Sequence, residues 1–376
     1  MIYVNIIGLA ILGIFSLFVV SKKDKILSDY ILLLTIFLFS GILITSILIS
    51  NNITLGSYIS FLFFNSFIFP VLVIYGLSLL NSGQKFSSKW LWTASYAIAF
   101  IAFIILDTLF ITKYDTPEMM SDLVRNVSPF YNVLYKGQYI FVVSILIWLI
   151  RKLNNFQSNI KNYYSSIETI HLKWFKNFAY IYLFVNVASL LLFILLDLRI
   201  VSDISIPLFV EHLILVLSLF YLCFHGIRQY NLASFNPSVV SDEKNRDAAK
   251  EKYGTSSLSI EEMNSLFEQI ESLFTDDTIY LEPELKIETL ANRLEVGNHK
   301  ISQTINTVAK QSFYDYVNKY RVTYLKKLLK SEKHQKYTIL AMGIESGFNS
   351  KSSLNRIFKQ QVGMSPLSYQ KTQIVI

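Results

Sequence analysis

The feature that most constrains this chain is a series of apolar runs at about residues 2–20, 29–49, 57–80, 90–112, 131–150, 177–198 and 205–226. Each is close to the ~20 residues a helix needs to cross the hydrocarbon core of a bilayer. With water excluded, such a segment has to satisfy its own backbone, which a helix does within itself. The runs therefore read as seven transmembrane helices. The first does not read as a cleaved leader. No basic residue precedes it, Lys22, Lys23 and Lys25 follow it, and no A-x-A-like site is present.

Loop charge sets the expected orientation. Lys22, Lys23 and Lys25 follow the first run, Lys85 and Lys89 the third, and Arg151, Lys152, Lys161, Lys173 and Lys176 the fifth. The alternate connections are poorer in Lys and Arg for their length: "NNITLG" has none, "DLRIVSDIS" has one arginine, and 113–136 has Lys113, Arg125 and Lys136. Basic loops stay cytoplasmic, so the expectation is an inner-membrane, multi-pass protein with its N-terminus outside and its C-terminal part in the cytoplasm. The 113–136 connection is then the long outer loop, and Lys136 at the start of the fifth run has to snorkel or face protein.

A mean hydropathy of +0.41, with 52% hydrophobic and 16% charged residues, is too apolar for an ordinary soluble protein of 376 residues. The excess lies in the first ~230 residues, so the average conceals two unlike halves. One cysteine, Cys223, excludes an internal disulfide framework and a multi-cysteine zinc site. It sits in an apolar run and reads as packing.

Ionisable or strongly polar side chains inside such runs are functional candidates because lipid makes them costly. Asp107, Glu211 and His212, with Asn65 and Asn186, form the candidate intramembrane signal site. The competing and commoner role for such residues is interhelical hydrogen-bond glue. "EHLIL" is not H-E-x-x-H, so a zinc protease is excluded. No nucleophile–base set, phosphate loop or metal cluster stands out, so no enzyme activity, cofactor or metal is expected.

Residues 1–228 are thus read as a membrane domain, 229–257 as a cytoplasmic linker and 258–376 as a soluble helical domain. The linker, "NLASFNPSVVSDEKNRDAAKEKYGTSS", is polar and mixed in charge. As a flexible chain its ~30 residues reach about 30 Å.

In the last domain the apolar period becomes amphipathic. "SIEEMNSLFEQIESLF" places Met263, Leu266, Phe267, Ile270 and Phe274 at 3–4 spacing on one face, with a Ser259–Glu262 capping signal. Ile287, Leu290, Ala291 and Leu294 form a stripe, "EVGN" breaks it, and Ile301, Ile305, Val308 and Ala309 begin another, which makes a helix-turn-helix. "FYDYVNKYRVTYLKKLLK" is a long amphipathic helix of about 27 Å. The pattern then repeats: Ile339 and Met342 face inward, "ESGFN" turns, and Leu354, Ile357, Phe358 and Val362 mark the next stripe. Gly363 fits a helix end, and Ser365-Pro366 fits the start of a last helix. The fold expected is all-α: a seven-helix transmembrane bundle followed by two helix-turn-helix units joined by a long helix.

That joining helix is about one turn of DNA in length, the spacing that places two units in successive major grooves. From Asn298 to Lys371 there are thirteen Lys/Arg against three acids, whereas from Ile260 to Gly297 ten acids face Lys286 and Arg293. A basic face with an acidic back is the footprint of phosphate binding.

The segments "LKIETLANRLEVGNHKISQTIN", "FYDYVNKYRVTYLKKLL" and "TILAMGIESGFNSKSSLNRIFKQQVGMSPLSYQK" resemble the AraC/XylS-type DNA-binding domain over about 110 residues. The resemblance implies a transcription regulator that binds double-stranded promoter DNA, with 298–309 and 351–361 as reading helices. Candidate base-reading residues are Lys300, Gln303, Asn349, Lys351, Asn355 and Arg356, since Arg and Lys suit guanine and Asn and Gln suit adenine. Ser302, Lys310, Ser352 and Lys359 are the candidates for positioning phosphates. Three positions depart from the family, which usually has alanine at Gly343, an aromatic at Leu354 and arginine at Gln370. The expected partners are DNA, the bilayer, a second copy of the chain and an unidentified signal sensed by the membrane domain. The alternative weighed is a transporter or enzyme with a helical regulatory or protein-binding tail.

Overall fold

The computed structural model describes residues 2–51, 55–81, 87–95, 97–99, 101–102, 129–168, 170–201, 205–229, 258–331 and 336–374. These are helical throughout, and among them no strand forms beyond an isolated bridge between Tyr164 and Lys286. The chain forms two compact units: Met1–Asn154 with Leu172–Phe235, and Asn155–His171 with Asn236–Ile376.

The first unit contains α1 (Ile2–Ser21), α2 (Leu27–Asn51), α3 (Leu55–Leu80), most of α4 (Pro129–Ile160), α5 (Lys173–Asp197) and α6 (Ser205–Ile227). In the described residues of α1 to α5, five helical stretches are long and apolar enough to cross a membrane. The fully described apolar part of α6 is the shorter His212–Ile227. Most of the fourth expected run lies outside the described residues, and its beginning is a 3₁₀ helix, Ser88–Ala94. Residues 113–128 of the outer loop and 230–257 of the linker also lie outside them.

These helices are apolar on all faces, not striped. α2 packs on α1 and α3, and α6 on α1 and α5, burying Leu12, Leu32, Leu43 and Leu222. The outer faces leave Leu17 70% and Phe184 68% exposed. Side chains of that kind, arrayed along whole helices, are stable facing lipid and not water. Some of this unit's charges are paired. Lys22 Nζ donates to both oxygens of the buried Asp29 carboxylate, at 2.9 and 2.7 Å, while Asp29 also accepts from Ile26 N at the start of α2. Lys136 faces protein: it pairs with Asp197 at the end of α5.

The second unit begins with α7 (Ile260–Thr275), whose capping box forms as its sequence requires. Ser259 Oγ accepts from Glu262 N at 3.1 Å, and Ser259 N donates to Glu262 Oε2 at 2.7 Å. A 3₁₀ turn (Ile279–Leu281) leads to α8 (Ile287–Arg293) and α9 (Asn298–Thr304), which continues into a π turn, Ile305–Ala309. The long α10 (Phe313–Lys330) follows, then α11 (Ile339–Glu345), α12 (Lys351–Val362) and α13 (Pro366–Ile374). Ser312, Thr338 and Ser350 each cap the next helix through the side-chain oxygen. Each such cap satisfies an amide the helix leaves unpaired, for about 1 kcal/mol.

α10 is the spine of this unit, touching the π turn on one side and α11, α12 and α13 on the other. At its middle, Arg321 is only 1% exposed. Its Nε donates to Tyr280 O at 2.7 Å, and its Nη2 donates to Glu282 O at 2.7 Å and Ser165 Oγ at 3.1 Å. Burial pulls the guanidinium down to about 10, still charged at neutral pH. The turn before α12 closes over it. Gly347 has φ +88°, and a Cβ there would lie 2.7 Å from Tyr280 O and 2.9 Å from Arg321 Nε.

Residues 155–171 are part of this core, a role that reading them as a basic loop does not disclose. Ser165 N donates to Leu285 O (3.1 Å), Ile287 N to Tyr163 O (2.9 Å) and Tyr314 N to Lys161 O (2.8 Å). Tyr163, Tyr164, Ser165, Ile167 and Ile170 are buried.

Replacing Arg321 by leucine strands the Tyr280 and Glu282 carbonyls in the interior. The expected loss is about 3 kcal/mol, seen as faster amide exchange across α10 in the intact chain.

Candidate nucleic-acid interface

Each reading helix is held by an apolar face and presents the other. On α9, Ile301 and Ile305 are fully buried, Lys300 is exposed and Gln303 is half-buried. Ser302 is not on the outer face. It is 7% exposed, and its Oγ accepts from Asn306 Nδ2 at 3.4 Å. Lys310 is exposed at the end of the π turn, with φ +54°.

On α12, Leu354, Ile357 and Phe358 are buried, while Lys351, Ser352 and Lys359 are exposed, as is Asn349 just before the helix. Asn355 is half-buried and donates to Lys351 O at 2.9 Å, within its own helix. The structure thus gathers Asn349, Lys351, Ser352, Arg356 and Lys359 on the outer side of one short helix and its lead-in turn.

Arg356 is engaged. Its Nη2 lies 2.5 Å from Glu168 Oε1 and donates to Tyr314 Oη at 2.7 Å. Burial alone would lower Arg356, but the Tyr314 hydrogen bond and the Glu168 charge outweigh it and hold the guanidinium above its ordinary range. Asn349 Nδ2 donates to Ser166 Oγ at 3.2 Å. Glu168, Ser166 and Tyr314 are therefore neighbours of the candidate readers that sequence reasoning missed. The signal available was the lone acid of 155–171, a stretch in which Lys161 is the one Lys or Arg.

Two of the departures from the AraC/XylS pattern are one structural event. A Cβ on Gly343 would fall 2.6 Å from Leu354 Cδ2 and 3.2 Å from its Cδ1. The branched leucine occupies the space in which an alanine methyl would sit, so α11 and α12 approach through a glycine–leucine pair.

The intramembrane candidates are described only in part. Asp107 lies outside the described residues, as does the side chain of Glu211. His212 Nε2 is 2.5 Å from Asn5 Oδ1, and the fully buried Asn5 donates to Ser46 Oγ at 3.1 Å, so α6, α1 and α2 are stitched together. Asn186 donates to Tyr182 O of its own helix at 2.8 Å, and Asn65 is half-buried on α3. The His212–Asn5–Ser46 arrangement is the geometry of interhelical glue.

Residues 290–372 match a family model described as a helix-turn-helix domain, of the AraC type. No curated protein matches the chain. A solved structure of a protein of unknown function from Listeria innocua is similar at 25% identity, over 28% of this chain and 95% of that one, with a TM-score of 0.26.

Gly343→Ala should destabilise the second unit despite the ~1 kcal/mol that alanine gains in helix propensity. Combined with Leu354→Ala, it should cost less than the two single changes added together. A double-mutant cycle on unfolding midpoints should return a coupling of at least ~0.5 kcal/mol.

Proposed function

We propose that this chain is a membrane-anchored bacterial transcription regulator whose C-terminal domain binds promoter DNA in a sequence-specific manner. The observation that carries the reading is the pair of amphipathic reader helices on either side of α10, within the stretch that matches the helix-turn-helix model. α10 has 18 residues, hence about 27 Å of axial length, matched to successive major grooves on one face of a duplex.

In this reading Lys300, Gln303, Asn349, Lys351, Asn355 and Arg356 reach base edges, and Lys310, Ser352 and Lys359 hold phosphates. Ser302 keeps at most an indirect part, because its hydroxyl faces inward. The apolar helices anchor the domain at the inner membrane. The basic loops after the first, third and fifth runs keep the C-terminal domain in the cytoplasm, where the chromosome is. A signal acting on the membrane unit controls the domain by favouring one arrangement of the spans over another. Self-association in the membrane would raise the effective concentration of reader pairs at paired sites.

The full chain in lipid nanodiscs should bind a duplex taken from upstream of its own coding region. With six or more phosphate contacts, affinity should fall by about 10³-fold or more between 50 and 200 mM salt. Lys359→Ala should weaken specific and random duplexes alike and reduce the salt slope by about one, whereas Gln303→Ala should narrow the gap between them. Binding that ignores salt, or no duplex bound at all, would defeat the proposal. A reporter fused after Ile376 should be active only inside the cell.

A further inference from the structure

We infer that Glu168 is an internal competitor for DNA. It occupies the guanidinium of Arg356 from the connection between α4 and α5, so the segment that joins two apolar helices also gates the second reading helix. The inference rests on the DNA-binding reading above and names the regulation of the same site.

Three observations carry it. The carboxylate is built into place: Glu168 Oε2 accepts from Ser166 Oγ at 3.0 Å and from Ile167 N at 3.1 Å, which leaves Oε1 to meet Arg356 at 2.5 Å. A surface ion pair between two free side chains pays entropy to form. Here one partner is already fixed by its own backbone. The segment itself is seated, with Ser165 bonded to Leu285 and Asn318 Nδ2 donating to Ser165 O at 3.2 Å. Finally, the contact is doubled, because Ser166 takes the side-chain amide of Asn349 in the lead-in turn of α12.

A carboxylate oxygen presents to a guanidinium the acceptor that a phosphate oxygen or the O6/N7 edge of guanine presents. Arg356 meets Glu168 and Tyr314 through the same nitrogen, Nη2, so a DNA acceptor that takes both ends of the guanidinium fork competes with the acid for it. Glu168 is the only acid in 155–171, so the competition is local and not a general negative field. The route to the membrane segments is short. α4 runs unbroken to Ile160, and α5 begins at Lys173, five positions beyond Glu168. A change at the start of α5 that draws Glu168 away would free Arg356 and Asn349 together.

The test measures duplex affinity of the full chain in nanodiscs at low salt, where weak variants still give a Kd. The variants are Glu168→Gln, Glu168→Ala, Arg356→Ala and Glu168→Ala with Arg356→Ala. Removing the acid should tighten binding about three- to tenfold, and that gain should vanish when Arg356 is absent. If Glu168→Ala binds no tighter than the native chain, the competition does not exist. If the gain persists without Arg356, it reflects net charge alone and the inference is overturned. If the native chain and every variant bind no duplex, the functional reading fails, and the inference falls with it.

Discussion

Arg321 holds the C-terminal unit together at a point where nothing else in it could. It projects from the middle of α10 into a space bounded by the Tyr280–Pro283 turn, Ser165 and the Gly347 turn, with its donors on two backbone carbonyls and a hydroxyl. A buried charge is costly unless hydrogen-bonded on all sides. That requirement fixes the distance between α10 and each surrounding segment. α12 and the π turn that ends α9 both pack on α10, so the separation of the two candidate reading helices depends on this frame. Gly347 is needed because any side chain would press on Tyr280 O and Arg321 at once.

Aromatic packing supports the same frame. Phe274 meets Tyr316 and Tyr320 at 4.9 Å, and both tyrosine hydroxyls donate to Glu271 of α7. The acidic outer side of α7 thus sends one carboxylate inward to satisfy α10, while the cations remain on the reading side. Burial and the Glu271 bond push Tyr320 up to about 12, so these hydroxyls stay protonated donors through the neutral range. The two halves of the chain solve different solvent problems. In the first, apolar side chains may face outward and polar groups pair between helices, as Asn5 does with Ser46. In the second, apolar groups are striped inward and caps close the helix ends.

Much of this was legible in local pattern. The Ser259–Glu262 box, the α10 limits, the "ESGFN" turn, the end at Gly363 and the start at Pro366 all follow from residues within a few positions of each other, and so does the apolar series from α1 to α6. Ser302 was not legible, because its burial comes from the helices packed around α9 and not from the helical period of α9 itself. Val308 and Ala309 are half-buried and not fully so, since the π turn breaks the spacing that a regular helix would keep. The departures at Gly343 and Leu354 are separate positions in the sequence, yet in three dimensions the leucine fills the space that the glycine leaves.

By itself the sequence determined the division of labour: which stretches are apolar enough for lipid, where helices start and stop, and that the last third carries paired helix-turn-helix units with a basic face. Those properties depend on composition and on neighbours along the chain. Only the tertiary structure decided that residues 155–171 belong to the C-terminal core, that Arg321 is buried, and that Glu168 meets Arg356 across 188 positions. Contacts between residues so far apart leave no periodic trace. They arise where packed helices bring backbone and charge together, and a linear pattern contains no record of that meeting.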